Sequence, residues 1–387
     1  MGVEFDRILD GFDGPFERVD GLAVPPAGQV RGANNAAGFL LSHQVNDAAI
    51  ATNRLLAEGH EVYWLEQPAT ANGVEYPAGS LYIPARGSAA TMVNSIATDL
   101  GLTFDGLRAT PGGDALKLNT VTIGLWDEYG GSMPSGWTRW LMEQFEFPFE
   151  VVFPKSLDED DLRSRFDVLV FVTGGIPAAD DGQGNPLAQY FGGQIDPESV
   201  PDEYHSMLGD VTVASTVPKL VEFLEAGGTI ITIGSSTVMA SHVDLPVENH
   251  LTDDRGQPLT PDEYYVPGSV LEVRVNNNQP LAYGMNDRVD VFFNRSPVLR
   301  MLPDAQESGL TPVAWFDSEE PLRSGWAWGQ HRLNGGVAIA QARVGSGTLY
   351  MFGPEILNRA QPHGTFKFFF NGVYLAGAER VRLDPTN

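Results

Sequence analysis

The sequence predicts an α/β protein with a parallel, doubly wound sheet. Three observations carry this. Apolar runs alternate with amphipathic segments from about residue 37. The alternation stops at the Gly/Pro-rich stretch "ATPGGDALKLN" (109–119) and starts again at 120. From Leu251 the texture changes to closely spaced strand-like runs cut by turns. Strand–helix–strand alternation is the signature of parallel pairing, and closely spaced runs are that of antiparallel pairing. The predicted division is an N-terminal α/β subdomain over 1–118, with an irregular lead-in, and a main domain over 119–387 with an antiparallel β extension.

The elements follow in order. Residues 1–32 are rich in Gly, Pro and Asp and read as the lead-in. "AGFLLSHQ" (37–44) is a strand. A helix follows, with Ala49, Ile50, Ala51, Leu55 and Leu56 on its apolar face and Gly59 as its stop, and then a strand over 61–65. Residues 79–85 form another strand. Residues 88–101 form a helix with Ser88 as N-cap and Gly101 as stop. In the second half, 120–126 is a strand and 135–147 a helix capped by Ser135. Residues 149–153 are a strand, 158–166 a short acidic helix, and 167–175 a strand apolar on both faces, as a central parallel strand is. Residues 176–211 read as a long loop. "VPKLVEFLEAGGTIITIGSS" (217–236) gives helix, Gly–Gly turn and strand. Strands are predicted over 268–276, 288–294, 311–317, 335–344 and 347–353, the last two as a hairpin, and a closing helix over 365–377.

Bulk properties exclude several functions. The chain has 387 residues, 42% of them apolar, enough for a sizeable core. Its net charge of −26 disfavours nucleic acid and anionic membranes as partners. With no cysteine there is no disulfide, thiolate metal ligand or thiol nucleophile. No run reaches the roughly 20 apolar residues of a membrane helix, and "MGVEFDRILDGFDG" lacks the pattern of a signal peptide. The seven histidines begin no His-x-x-Glu or His-Glu-x-x-His pattern, so no metal site and no cofactor is expected.

Chemistry is expected beyond the carboxyl ends of the parallel strands. Three such ends are visible: 127–135, 173–176 and 234–237. "DEYGGSMPSGWTRW" (127–140) sits where a nucleotide loop would, but its spacing is neither GxGxxG nor GxxxxGK[ST], and Asp127 and Glu128 place negative charge at the phosphate position. Trp137, Trp140 and Leu141 have helical spacing and read as core, and Arg139 has Glu143 at i+4. The predicted ligand pocket comprises Asp127, Glu128, Arg139, Gly174, Gly175 and His242. Ser235 and Ser236 stand at a strand-to-helix elbow, where a nucleophile would need a base (His363, His242 or His250) and an orienting carboxylate (Glu355, Asp244 or Glu248). "IGSST" lacks the G-x-S-x-G spacing, so both serines read first as turn and cap residues.

Three segments carry a family resemblance: "GFLLSHQVNDAAIATNRLLAEGHEVYWL", "IGLWDEYGGSMPSGWTRWLMEQFEFPFEVV" and "FGPEILNRAQPHGTFKFFFNGVYL". They resemble the C-terminal region of large bacterial zinc carboxypeptidase-like proteins of the carboxypeptidase A-type metallopeptidase family. That region is class I glutamine amidotransferase-like and flavodoxin-like. The resemblance implies an upstream metallopeptidase domain carrying the zinc ligands, an exported parent protein, and this chain as its trailing part. It also implies an elbow cysteine and a late His-x-Glu, where this sequence has Ser235, Ser236 and His363-Gly364-Thr365. The expectation is therefore a non-catalytic accessory module for a peptide, glycan or partner domain. The alternatives are a serine hydrolase using Ser235 or Ser236 with His363 or His242, and a metallopeptidase with an unrecognised zinc site.

Overall fold

The computed structural model describes residues 9–22, 26–179 and 196–385. The chain forms two compact units, Met1–Lys117 with Arg380–Asn387, and Leu118–Glu379. The sequence division carried the main domain through Asn387, whereas the closing strand Glu379–Leu383 lies in the sheet of the first unit.

The first unit contains β1 (Gln29–Arg31), β2 (Gly38–Leu41), α1 (Ala48–Ala57), β3 (Val62–Leu65), β4 (Leu81–Pro84), α2 (Ala89–Leu100), β5 (Thr103–Leu107) and β6 (Gly113–Leu118). The sheet order is β1-β5-β2-β4-β3-β6, ending on Glu379–Leu383. β2 pairs antiparallel with both β4 and β5, and β3 pairs antiparallel with β4. The predicted parallel pairing is thus corrected. β2 and β3, joined by α1, run in the same direction but are separated by β4. β4 and β5, joined by α2, are separated in the same way by β2. Two split β-α-β units interlock. A helical crossover fixes the relative direction of the strands it joins but not whether they are neighbours, so alternation alone could not show the inserted strand. β1 and β5, at the edge of this sheet, do pair parallel. Ser88 precedes α2 without a side-chain capping bond, while Gly101 ends it at φ 68°, the left-handed stop the sequence predicted.

The second unit is α/β with a parallel, flavodoxin-type sheet. Its elements are β7 (Ile123–Trp126), α3 (Met133–Gln144), β8 (Glu150–Val152), β9 (Val168–Phe171), α4 (Thr216–Glu225), β10 (Thr229–Ile233), β11 (Ser269–Val275), β12 (Arg288–Phe293), β13 (Leu310–Trp315), β14 (Val337–Val344), β15 (Gly347–Phe352) and α5 (Phe366–Ala376). The sheet path runs β8-β7-β9-β10-β15-β14-β13-β11-β12. The first five strands are all parallel. In chain order they read 2-1-3-4-5, the flavodoxin-like order, with its switch point between β7 and β9. β15 then turns antiparallel onto β14, and the extension continues from there.

β7, β9 and β10 are buried along their whole length. α5 packs Phe366, Phe368, Phe369 and Phe370 into the interior. At roughly 1.5–3 kcal/mol for each fully buried aromatic, this phenylalanine run is a major part of the core. α3 begins earlier than predicted. Ser132, not Ser135, is its cap, with Oγ accepting from Ser135 N at 3.4 Å. Ser135 is buried and donates its hydroxyl to Trp126 O. The predicted loop 176–211 falls partly outside the described residues; its later part holds short 3-10 turns at Pro197–Ser199 and Asp202–Met207.

Candidate functional site

The parallel register decides which residues meet beyond the strand ends. Phe171 pairs with Thr232, and Ile233 with Phe352. Two positions further on, Thr173 stands beside Gly234, and the turn after β15 brings in Glu355. The Thr173 hydroxyl donates to Glu355 Oε1. Burial pushes the Glu355 carboxyl above the ordinary carboxylate range, while the Thr173 bond pulls it back in part. A neutral carboxyl at a strand-end crevice is a hydrogen-bond donor as well as an acceptor.

The elbow apex is a glycine. Gly234, the first residue past β10, has φ +60°. A Cβ there would lie 1.9 Å from Thr173 Oγ1 and 2.6 Å from Glu355 Oε1. In hydrolase elbows the nucleophile occupies such a strained strand-to-helix turn. Here a side chain would have to displace Thr173 and Glu355.

Ser235 and Ser236 follow one and two residues later and serve another purpose. Ser236 is buried. Its hydroxyl donates to Val172 O at 2.5 Å and accepts from Gly175 N at 3.0 Å and Ile176 N at 3.2 Å. Ser235 Oγ accepts from Gly174 N at 2.9 Å. Both serines pin the loop after β9 to the turn after β10. The expected turn role takes this cross-loop form rather than that of a helix cap. Among the described residues neither serine is hydrogen-bonded to an imidazole.

The histidines are placed otherwise. His242 Nε2 lies 2.7 Å from Pro177 O, so the ring braces the same loop. His363 stacks on Phe366 with ring centroids 4.8 Å apart. Burial pushes His250 below the usual imidazole range. Of the other weighed carboxylates, Glu248 pairs with Arg300 in the extension. Among the described residues no cluster of His, Asp and Glu could hold a metal ion.

At the switch point, Asp127 Oδ1 accepts from Glu128 N at 2.9 Å and Ser132 N at 2.7 Å. The chain's own carboxylate therefore occupies the donors that a phosphate would need at the start of α3. Burial first, and then Asp127 and Asp210, push Glu128 upward. Arg139 does not reach this crevice; it pairs with Glu143 at 3.0 Å on an exposed face of α3. Trp137 and Trp140 are exposed there too, 38% and 46%, against the expectation of core, while Leu141 is buried. The helical spacing was right, but the buried face is that of Ser135, Thr138, Leu141 and Met142. The structure thus gathers Asp127, Glu128, Gly174, Gly175, His242, Ser235 and Ser236 at the strand ends.

Sequence reasoning placed Thr173 and Gly234 at strand ends without giving either a role, and it did not single out Trp126. Trp126 closes β7 at 5% exposure, and its Nε1 is buried with no hydrogen-bond partner among the described residues. The signal available for it was only positional: the last residue of the predicted strand 120–126.

No protein-family model matches the chain, and no curated protein matches it. Solved structures to which the chain is similar include a glutamine amidotransferase from Thermotoga maritima. It shares 10% identity at a TM-score of 0.37, over 66% of this chain and 97% of that one. A ThuA-like protein from Bacteroides uniformis shares 8% at 0.34, over 66% and 90%. A β-galactosidase from Bacillus circulans sp. alkalophilus shares 9% at 0.35, over 68% of this chain and 31% of that one. None of these comparisons supports the carboxypeptidase part of the resemblance. The flavodoxin-type character of the second unit rests on its own strand order and register.

Proposed function

We propose that the chain is a non-catalytic binding module whose recognition surface is the carboxyl edge of the parallel sheet in the second unit. One observation carries this reading: Gly234 fills the elbow apex, with no space for a side chain. The two following serines commit their oxygens to backbone N–H groups of residues 174–176. An alkoxide needs a base within about 2.6–3.2 Å, looser without substrate, and donors aimed at a developing oxyanion. In this crevice the N–H groups point at the serines themselves. The carboxylates of Asp127 and Glu128 at this edge suit an uncharged or cationic ligand, such as a peptide or a neutral glycan, and oppose phosphates.

The test is covalent labelling of the full chain with a fluorophosphonate probe, alongside hydrolysis of p-nitrophenyl esters. The expected result is no labelling and no turnover above buffer, unchanged in Ser235→Ala and Ser236→Ala. Labelling that disappears in either variant would establish the serine-hydrolase alternative instead. The narrower proposal, an accessory to a carboxypeptidase-type metallopeptidase, is supported by the three resembling segments alone. It is tested by whether such a domain is encoded upstream in the same reading frame.

A further inference from the structure

We propose that a cleft in the first unit, where β1 and β5 end, is a binding site for a small ligand bearing an oxyanion, a carboxylate or a phosphate monoester. The cleft has a volume of about 650 Å³, and its walls include Gly32, Asn34, Thr70, Asn72, Gly106 and Arg108. That volume is in the range of small-molecule sites.

Two arginines, Arg31 and Arg108, stand at the ends of β1 and β5, and they differ in what they are bound to. Arg31, on the last position of β1, is already neutralised. Its Nε donates to Asp105 Oδ1 at 2.7 Å, and a second guanidinium nitrogen pairs with the other carboxylate oxygen. Tyr76 Oη and Asn72 Nδ2 also donate to Asp105, at 2.5 and 2.8 Å. Asp105 is fully buried, so this group is a structural knot and needs no further partner. Arg108 is different. It lines the same cleft and is exposed, and among the described residues it makes no ion pair and no hydrogen bond. In a chain of net charge −26, an unpaired guanidinium in a concave site is a specific place for negative charge.

The backbone adds donors. Ala33 and Asn34 also line the cleft, and their N–H groups find no acceptor among the described residues. They follow Gly32, whose φ of +66° turns the chain at the end of β1. Across the cleft, a Cβ on Gly106 would lie 2.3 Å from Gly32 O, so two glycines let the strand ends close up and present peptide groups instead of side chains. Ala33 and Asn34 are exposed, and their peptide N–H groups stand on the same cleft wall as an unpaired guanidinium, a combination that can accept an anion. Thr70 and the amide oxygen of Asn72, whose Nδ2 is engaged with Asp105, add polar groups that suit hydroxyls on the same ligand.

The site is tested on the full chain by amide-resolved NMR titration with inorganic phosphate in one arm and citrate in the other. The expected result is saturable shifts of the Ala33 and Asn34 amides in at least one arm. Arg108→Ala should weaken that binding at least tenfold, with partial recovery in Arg108→Lys. Saturation in the phosphate arm alone assigns a phosphate group, and in the citrate arm alone a carboxylate. Arg86→Ala is the control, because Arg86 is an exposed arginine elsewhere in the same unit, paired with Glu61. Absence of saturable shifts in both arms, or equal weakening by Arg108→Ala and Arg86→Ala, overturns the proposal.

Discussion

Replacing Gly234 with alanine tests the central claim about the elbow. Two costs add. A non-glycine residue in the left-handed region costs roughly 1–2 kcal/mol. The new Cβ would also sit 1.9 Å from Thr173 Oγ1 and 2.6 Å from Glu355 Oε1, and both belong to the hydrogen-bonded pair beneath the turn. Overpacking of this kind costs about 1–3 kcal/mol. The sum is about 2–5 kcal/mol, which for a unit of this size corresponds to a fall in Tm of about 5–15 °C. Urea unfolding followed by tryptophan fluorescence measures it. The steric part can be separated with Thr173→Ala, which removes the nearest atom. In the double variant the φ penalty and the overlap with Glu355 stay while the overlap with Thr173 Oγ1 is relieved, so the two changes should cost about 1 kcal/mol less together than their sum. A Gly234→Ala variant within about 0.5 kcal/mol of the parent would refute the claim that the apex has no room. Strict additivity would show that Thr173 is not the obstacle.

Ser236→Ala removes an acceptor from two buried N–H groups and a donor from Val172 O, so it should cost about 1–3 kcal/mol in the same assay without altering the response to a fluorophosphonate. Glu355→Gln tests the raised carboxyl. Because its folded pKa lies above the unfolded one, the native state loses stability as pH rises through that window, and the amide should remove this loss. The variant should match or exceed the parent at about pH 8, with the difference shrinking toward about pH 4; urea midpoints across pH would show the opposite trend if Glu355 were needed as an anion. Asp105→Asn breaks the knot around Arg31 and should cost about 3 kcal/mol or less, since the arginine side chain is 38% exposed and can recover water. Burial opposes the ionised form of Asp105, but Arg31, Tyr76 and Asn72 together hold its carboxyl below the usual range. Its contribution is therefore present above the unfolded carboxyl pKa and lost as pH falls through the folded one, a dependence the asparagine variant should lack.

The sequence shows direction and periodicity well and adjacency badly, for a physical reason. The apolar runs ending at Trp126, Phe171 and Ile233 are buried on both faces, and such runs announce central parallel strands wherever they occur. The same logic misled in the first unit. The sequence around α1 and α2 reports that β2 parallels β3 and β4 parallels β5, and both are true. Nothing local reports that each pair opens to admit a strand of the other. On α3 the period gave the helix but not its inner face, because Trp137 and Trp140 are larger than the buried Ser135 and Thr138 and draw the eye as core.

At the elbow the limit is finer still. "IGSST" places a turn after a buried strand, and the serines attract attention because they carry nucleophilic atoms. What decides the chemistry is a backbone dihedral at the residue before them and the position of the Thr173 hydroxyl, from the end of a different strand. The glycine is permitted there because it has no Cβ, and it is required because Thr173 and Glu355 have taken the space a Cβ would need. Once that space is filled, Ser235 and Ser236 begin one residue too late to sit at the strained apex, and their oxygens meet the N–H groups of the neighbouring loop instead. A nucleophile in this turn would need the Thr173–Glu355 pair removed as well as a side chain added. Placing a thiol or hydroxyl at position 234 alone should therefore yield an unstable protein rather than an active one.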